Sequence, residues 1–280
     1  MIEIGKRQHL RVKREVDFGL YLHQGDEEVL LPQKYIPEGT QIGDDLEVFV
    51  YKDHLNRPVA VTTMPVGEIG DIVGVEVTHT TDFGAFVSIG LEKDVLVPNK
   101  EQSKPMIVGR SYAVILLMDH MTERIIGSTK LGAFLSKDEP PYEAGDEVDL
   151  IVWHPTELGF KVVVDQHFLG LLYANEVFEP LRAGDTKKGF IKQVRPDGKI
   201  DVTLNKAGYQ AVIDSTDVVL NAIQDAGGSL PIGDKSSPEE IKEHFNMSKK
   251  NFKKILGGLY KAGEIEISDF QIALKSGRSA

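Results

Sequence analysis

Asp82-Phe83-Gly84-Ala85-Phe86-Val87 recurs in this chain. A near copy stands upstream as Asp17-Phe18-Gly19-Leu20-Tyr21-Leu22, and a weaker one downstream as Glu157-Leu158-Gly159-Phe160-Lys161-Val162. In the first two copies, aromatic residues three positions apart bracket a glycine. Strict alternation sends such positions to opposite faces of a strand. A bulge or bend at the glycine would bring both rings to one face. Two rings on an exposed sheet face make a platform on which bases can stack. The competing reading is core packing, because phenylalanine is usually buried.

The registration continues past the motif. Thirteen residues after Gly19 lies Pro32, in Val29-Leu30-Leu31-Pro32-Gln33-Lys34. Fourteen after Gly84 lies Pro98, in Val95-Leu96-Val97-Pro98-Asn99-Lys100. Fourteen after Gly159 lies Tyr173, in Gly170-Leu171-Leu172-Tyr173-Ala174-Asn175-Glu176. A glycine-containing approach follows each: Ile42-Gly43-Asp44, Val108-Gly109-Arg110 and Ala183-Gly184-Asp185. Such self-similarity marks tandem units. It predicts three all-β units over residues 1–64, 65–137 and 138–208, then a tail of different character over 209–280.

Alternation and turn residues place the strands. The first unit reads as strands at 8–13, 19–23, 29–31, 46–51 and 59–62, the last two joined by Asp53-His54-Leu55-Asn56-Arg57-Pro58. The second reads as strands at 74–78, 83–86, 95–97, 112–118 and 125–129, with Asp119-His120-Met121-Thr122-Glu123-Arg124 in the matching turn. Pro140-Pro141 marks a linker. The third unit begins with an alternating strand at 148–153 and ends in a hairpin, 189–194 and 199–204 around Pro196-Asp197-Gly198. Trp153 fits either a core or a contact surface.

Composition bounds the function. The 27% charged fraction and the lack of any long apolar run exclude a helical membrane span. Met1-Ile2-Glu3-Ile4-Gly5-Lys6 has no signal-peptide pattern. The absence of cysteine excludes disulfides and thiolate metal sites, and fits the reducing cytoplasm, where the chain is expected to reside. The net charge of −11 opposes long-range attraction to phosphate. Stacking on aromatic rings offsets that for single strands, as does locally concentrated positive charge. Lys6, Arg7, Arg11, Lys13 and Arg14 form one such cluster, open to phosphate contact or to simple solvation.

In the tail, residues 218–223 start a short amphipathic helix stopped by Gly227-Gly228. Ser237-Pro238-Glu239-Glu240 is a capping box with proline at the first helical position, opening a helix that buries Ile241 and Phe245. Ser248 caps a third helix, on which Phe252, Ile255, Leu256 and Leu259 share one face. Glu264-Ile265-Glu266-Ile267 and Gln271-Ile272-Ala273-Leu274 form a two-stranded wing. Helix, helix, helix, hairpin is the winged-helix arrangement. From Ser248 onward there are seven Lys/Arg against three Asp/Glu, and Lys250, Lys253, Lys254 and Lys261 lie off the apolar stripe. They are candidates for phosphate contact or a solvated face.

The fold class is therefore mainly β with a C-terminal α+β domain. The five-stranded units resemble the oligonucleotide-binding (OB) barrel. More specifically they resemble the RNA-binding repeat of ribosomal protein S-one, the S-one domain. The likeness rests on Asp82-Phe83-Gly84-Ala85-Phe86-Val87, on the run from Gly170 to Glu176, and on Lys199-Ile200-Asp201-Val202-Thr203-Leu204. The resemblance implies that Phe83 and Phe86, and likewise Phe18 and Tyr21, contact RNA. Tyr173 stands at the family's histidine position, and Arg124, Lys192 and Lys199 are basic residues of the closing strands. Pro32 and Pro98 depart from that histidine. Three such units ahead of a winged helix resemble the conserved virulence factor B (CvfB-like) family of Gram-positive bacteria. That resemblance implies an RNA-binding regulator of gene expression acting after transcription begins.

Catalytic signatures are missing from the sequence. There is no His-x-x-x-His pair with an adjacent glutamate and no phosphate-binding loop, since Gly198-Lys199 is followed by Ile200. Asp44-Asp45 and Glu27-Glu28 read as solvated turn residues rather than a metal site. The expectation is a non-enzymatic protein without cofactor or metal, whose partner is single-stranded RNA. Duplex DNA at the winged helix, or a protein partner on ribosome, polymerase or nuclease, are the rivals.

Overall fold

The computed structural model describes residues 1–53, 55–177, 179–205 and 210–275, without the side chains of 210–215 and 217. His54 of the first turn and Arg278 of the basic tail lie outside the described residues.

The first barrel comprises β1 (Lys6–Val16), β2 (Gly19–Gln24), β3 (Glu27–Pro32), β4 (Asp45–Lys52) and β5 (Pro58–Val61). The second comprises β6 (Ile72–Thr81), β7 (Gly84–Val87), β8 (Val95–Pro98), β9 (Ser111–Met118) and β10 (Ile125–Ser128). The third comprises β11 (Glu147–Thr156), β12 (Gly159–Val164), β13 (Phe168–Tyr173), β14 (Thr186–Val194) and β15 (Ile200–Thr203). All three close with the same strand order, first-second-third-fifth-fourth. The third and fifth strands run parallel, pairing Leu30 with Val59, Leu96 with Ile126 and Leu171 with Asp201. Alternation fills each interior with aliphatic side chains: Leu10, Leu22 and Val48 in the first barrel, Val77, Val87 and Leu116 in the second, Leu150, Val162 and Val202 in the third.

The register shift lies in the first strand of each barrel, not at the motif glycine. It falls between Val12 and Arg14, between Val77 and His79, and between Val152 and His154. The glycine answers a different demand. A Cβ on Gly19, Gly84 or Gly159 would lie 2.2, 2.2 or 2.1 Å from the carbonyl oxygen of Leu31, Val97 or Leu172 on the neighbouring third strand. Only a residue without a Cβ admits that approach.

The barrels are packed against one another. Phe49, Tyr51 and Val61 meet Leu91 and Ile125 between the first two. Lys6 Nζ and Arg7 Nη2 of the early basic cluster donate to the carbonyls of Ile69 and Pro65, 2.7 Å each, so both serve this seam. Between the second and third barrels, Ile72, Ile115, Leu131, Ile151 and Val163 form one cluster, which Trp153 joins. The Ile72 N–H donates to Gln166 Oε1 (2.7 Å) and Gln166 Nε2 donates to the Ile72 carbonyl (2.9 Å). Pro140 of the linker is itself buried.

The tail folds as α1 (Gln210–Asp225), β16 (Ser229–Leu230), α2 (Pro238–Phe245), α3 (Lys249–Lys261), β17 (Ile265–Ile267) and β18 (Ile272–Leu274). The capping box is formed in both directions, and the left-handed Asn246 (φ 50°) ends α2. Ser248 Oγ accepts the Asn251 N–H at 3.2 Å and so caps α3. Two features exceed the sequence reading. Helix α1 begins eight residues before the expected Val218, because Asp214-Ser215-Thr216-Asp217 are weak helix formers that hide its first half. Strand β16 adds to the wing, giving the order β16-β18-β17.

Candidate nucleic-acid interface

The motif aromatics lie outside the barrel cores. Phe83 occupies the turn before β7 and is 74% exposed; Phe18 occupies the matching turn and is 57% exposed. Each turn is pinned from the end of the third strand. The Asn99 N–H donates to the Phe83 carbonyl (3.0 Å), Asn99 Nδ2 to the Asp82 carbonyl (2.8 Å), and the Gln33 N–H to the Phe18 carbonyl (3.0 Å). Pro32 and Pro98 sit directly across the ladder from Gly19 and Gly84.

The bulge in β6 sets His79 opposite Phe86. The two rings stack, centroids 4.3 Å apart and planes 6° from parallel. His79 Nδ1 lies 3.1 Å from Thr78 Oγ1 and 3.7 Å from Asp94 Oδ2, and Thr78 Oγ1 donates to that carboxylate at 2.6 Å. The histidine on the platform thus comes from the first strand, where the sequence reading did not look. In the first barrel the equivalent position is Arg14, whose guanidinium lies 3.8 Å from the Tyr21 ring centroid while also pairing with Glu28 at 2.9 Å. A cation over a ring face is an attractive arrangement.

The third barrel is built otherwise. Leu158 replaces the exposed ring and is 63% exposed, and Lys161 lies over Trp153 at 5.8 Å. Lys192 pairs with Glu176, and Lys199 pairs with Asp197 at 2.6 Å. Arg195, unremarked in the sequence, donates from Nη2 to the Tyr173 hydroxyl and grips Asp201 through Nε (2.9 Å) and Nη2 (2.5 Å). Asp201 is 2% exposed and also accepts from Gln193 Nε2 at 2.7 Å. Burial pushes its carboxyl up, but Arg195 and Gln193 outweigh burial and hold it below the usual carboxylate range. An acid interrupting the apolar pair Ile200 and Val202 was the available signal.

Two cavities open on these faces. One, about 480 Å³, lies between the first two barrels, with Phe86, Pro98, Lys100 and Arg124 on one side and Lys52 and Asp53 on the other. The second, about 470 Å³, lies on the third barrel among Leu158, Lys161, Leu169, Arg195 and Lys199. On the winged helix, Phe252, Ile255, Leu256 and Leu259 are buried, while Lys250, Lys253, Lys254 and Lys261 are exposed. Lys253 pairs with Asp234 at 3.0 Å; the other three have no acidic partner among the described residues. Among those residues, no three His, Cys, Asp or Glu side chains converge as metal ligands would, and no helix is long and apolar enough to cross a membrane.

Residues 4–63 match the S1 domain, residues 67–130 the S1 RNA binding domain, and residues 217–274 the CvfB-like winged helix domain. The chain is similar over most of its length to conserved virulence factor B proteins. It is 28% identical over 257 residues to conserved virulence factor B of Staphylococcus saprophyticus, covering 89% of this chain and 86% of the relative. Identity is also 28%, over 270 residues, to uncharacterized protein YitL of Bacillus subtilis, covering 93% and 90%. Among solved structures it is similar to a multidomain protein with nucleic acid binding domains from Streptococcus pneumoniae, 22% identical, TM-score 0.44, covering 97% and 98%. The matched S1 stretches enclose the exposed Phe18 and Phe83, and the CvfB-like stretch encloses α3 with its lysines. The architecture is three OB-like barrels and a winged helix, mainly β, with S1-type nucleic-acid-binding domains.

Proposed function

We propose that this chain is a non-enzymatic, cytoplasmic regulator of gene expression that binds single-stranded RNA. Bases stack on Phe83 and Phe86 of the second barrel and on Phe18 and Tyr21 of the first, and basic side chains meet phosphates. The observation that carries this reading is the pair Phe83 and Phe86, one ring 74% exposed and the other stacked on His79 outside the core, within an S1 RNA binding match. Stacking of this type is worth about 1–3 kcal/mol per base and tolerates all bases. The S1 matches support a nucleic-acid-binding role, and relatives over most of the chain carry the name conserved virulence factor B.

The test is fluorescence anisotropy of labelled single-stranded RNA beside duplex DNA of equal length, at two salt concentrations. Tight RNA binding with a shallow salt slope is the expected result. Preference for the duplex with a steep slope would refute it. A second reading, duplex binding at the winged helix, rests on Lys250, Lys254 and Lys261, exposed and without acidic partners among the described residues. It predicts that Lys250→Glu with Lys254→Glu abolishes duplex binding and flattens its salt slope.

A further inference from the structure

The cavity between the first two barrels belongs to neither alone. Phe86, Pro98, Lys100 and Arg124 come from the second barrel, and Tyr51, Lys52 and Asp53 from the end of β4 in the first. Its volume of about 480 Å³ lies within the range of small-ligand pockets, about 300–1,000 Å³. A single nucleotide suits such a volume and a duplex does not. The wall offers what a nucleotide needs: a half-buried ring in Phe86, and Lys100 and Arg124 as cations. Carboxylates share that wall. Asp53 is fastened by the Arg57 guanidinium (3.0 and 2.8 Å) and by the N–H groups of Leu55 and Arg57 (2.8 and 3.0 Å).

The two barrels hold their fourth-to-fifth turns differently. In the first barrel the turn is clasped from within, by Asp53 and Arg57. In the second, the turn at residues 119–124 is tied internally through Asp119, which accepts from the Thr122 N–H (3.1 Å) and hydroxyl (2.6 Å). It is also held from outside: Lys52 of the first barrel donates to Glu123 Oε2. The Lys52 side chain is only 11% exposed, and Glu123 adopts a left-handed φ of 52° beside Arg124. The ion pair therefore fastens the segment that carries Arg124 to a neighbouring domain.

We propose that barrels 1 and 2 share one nucleotide subsite. One nucleotide of a bound RNA strand sits in the junction cavity, its base against Phe86 and its phosphate toward Lys100 and Arg124. Lys52 is a positioning residue that, through Glu123, sets the turn bearing Arg124. This rests on the RNA-binding reading above and adds that the first barrel helps to build the site of the second.

The experiment uses the full chain and a ten-nucleotide single-stranded RNA carrying one photoactivatable thiouridine, with crosslinks mapped by mass spectrometry. Crosslinks are expected both on the peptide containing Phe86 and on the peptide containing Tyr51, Lys52 and Asp53. Lys52→Met and, separately, Glu123→Gln should weaken RNA binding about fivefold. The double exchange Lys52→Glu with Glu123→Lys should restore most of that affinity. If Lys52→Met fails to fold, Glu123→Gln decides alone, since that side chain is 65% exposed. Crosslinks confined to the second barrel, or unchanged affinity in both single variants, would overturn the shared subsite while leaving RNA binding intact. Failure of the unaltered chain to bind RNA would overturn the RNA-binding reading and the subsite together.

Discussion

Phe83→Ala and Phe86→Ala, made separately, should divide affinity from stability. Phe83 is 74% exposed in a turn fixed by backbone bonds to Asn99, so its ring contributes almost nothing to folding. Its removal should leave the melting temperature unchanged while costing RNA affinity about 1–3 kcal/mol, roughly 5- to 150-fold. Phe86 is half-buried and stacked on His79. Its loss should cost a comparable amount of affinity. It should also lower stability by about 1–2 kcal/mol, from the lost stack and part of its buried area, well short of the roughly 3–5 kcal/mol of a core phenylalanine. Anisotropy with a labelled ten-nucleotide RNA measures the first quantity, and urea unfolding followed by circular dichroism the second. A Phe83→Ala variant that loses stability yet keeps its affinity would refute the reasoning, because it would make the ring a packing element.

Four further outcomes follow from other parts of the structure. Gly74→Ala should destabilise the chain by about 1–3 kcal/mol, the cost of overpacking, since its Cβ would stand 1.8 Å from the Gly184 carbonyl oxygen; thermal unfolding checks this, and an unchanged midpoint would contradict it. Asp201→Ala should cost about 1–3 kcal/mol by leaving the part-buried Arg195 and Gln193 donors without their acceptor, read by the same unfolding assay. Because the folded Asp201 carboxyl lies below its ordinary value, its contribution is fully present above about pH 4 and is lost as pH falls through the folded value. Asp201→Asn should therefore flatten the acid limb of the stability profile in that window. Ser237→Ala removes one half of the capping box on α2 and should cost about 0.5–2 kcal/mol, measured as a shift in the urea midpoint.

The barrels were legible because one short motif and its spacing to the third strand recur, so the strands of one unit index those of the next. The winged helix was legible from Ser237, Pro238 and Ser248, whose capping chemistry is local. What escaped is non-local. Nothing near Phe86 states that a bulge on β6 will set His79 against it, since register is a property of two strands. Lys192 read as an available cation, but the fold brings Glu176 to it from 16 residues away. Arg195 drew no notice because its partners Tyr173 and Asp201 lie 22 and 6 residues away. The junction cavity needs two barrels in contact before it exists.

At Gly74 and Gly184 the second and third barrels touch main chain to main chain. Most domain seams are made of side chains, and exchanging one for a slightly smaller or larger relative loosens or tightens them by degrees. A seam of bare peptide offers no such gradation. Substitution can only add atoms there, so this joint is inherited whole or lost, and drift elsewhere on the barrels must proceed around it.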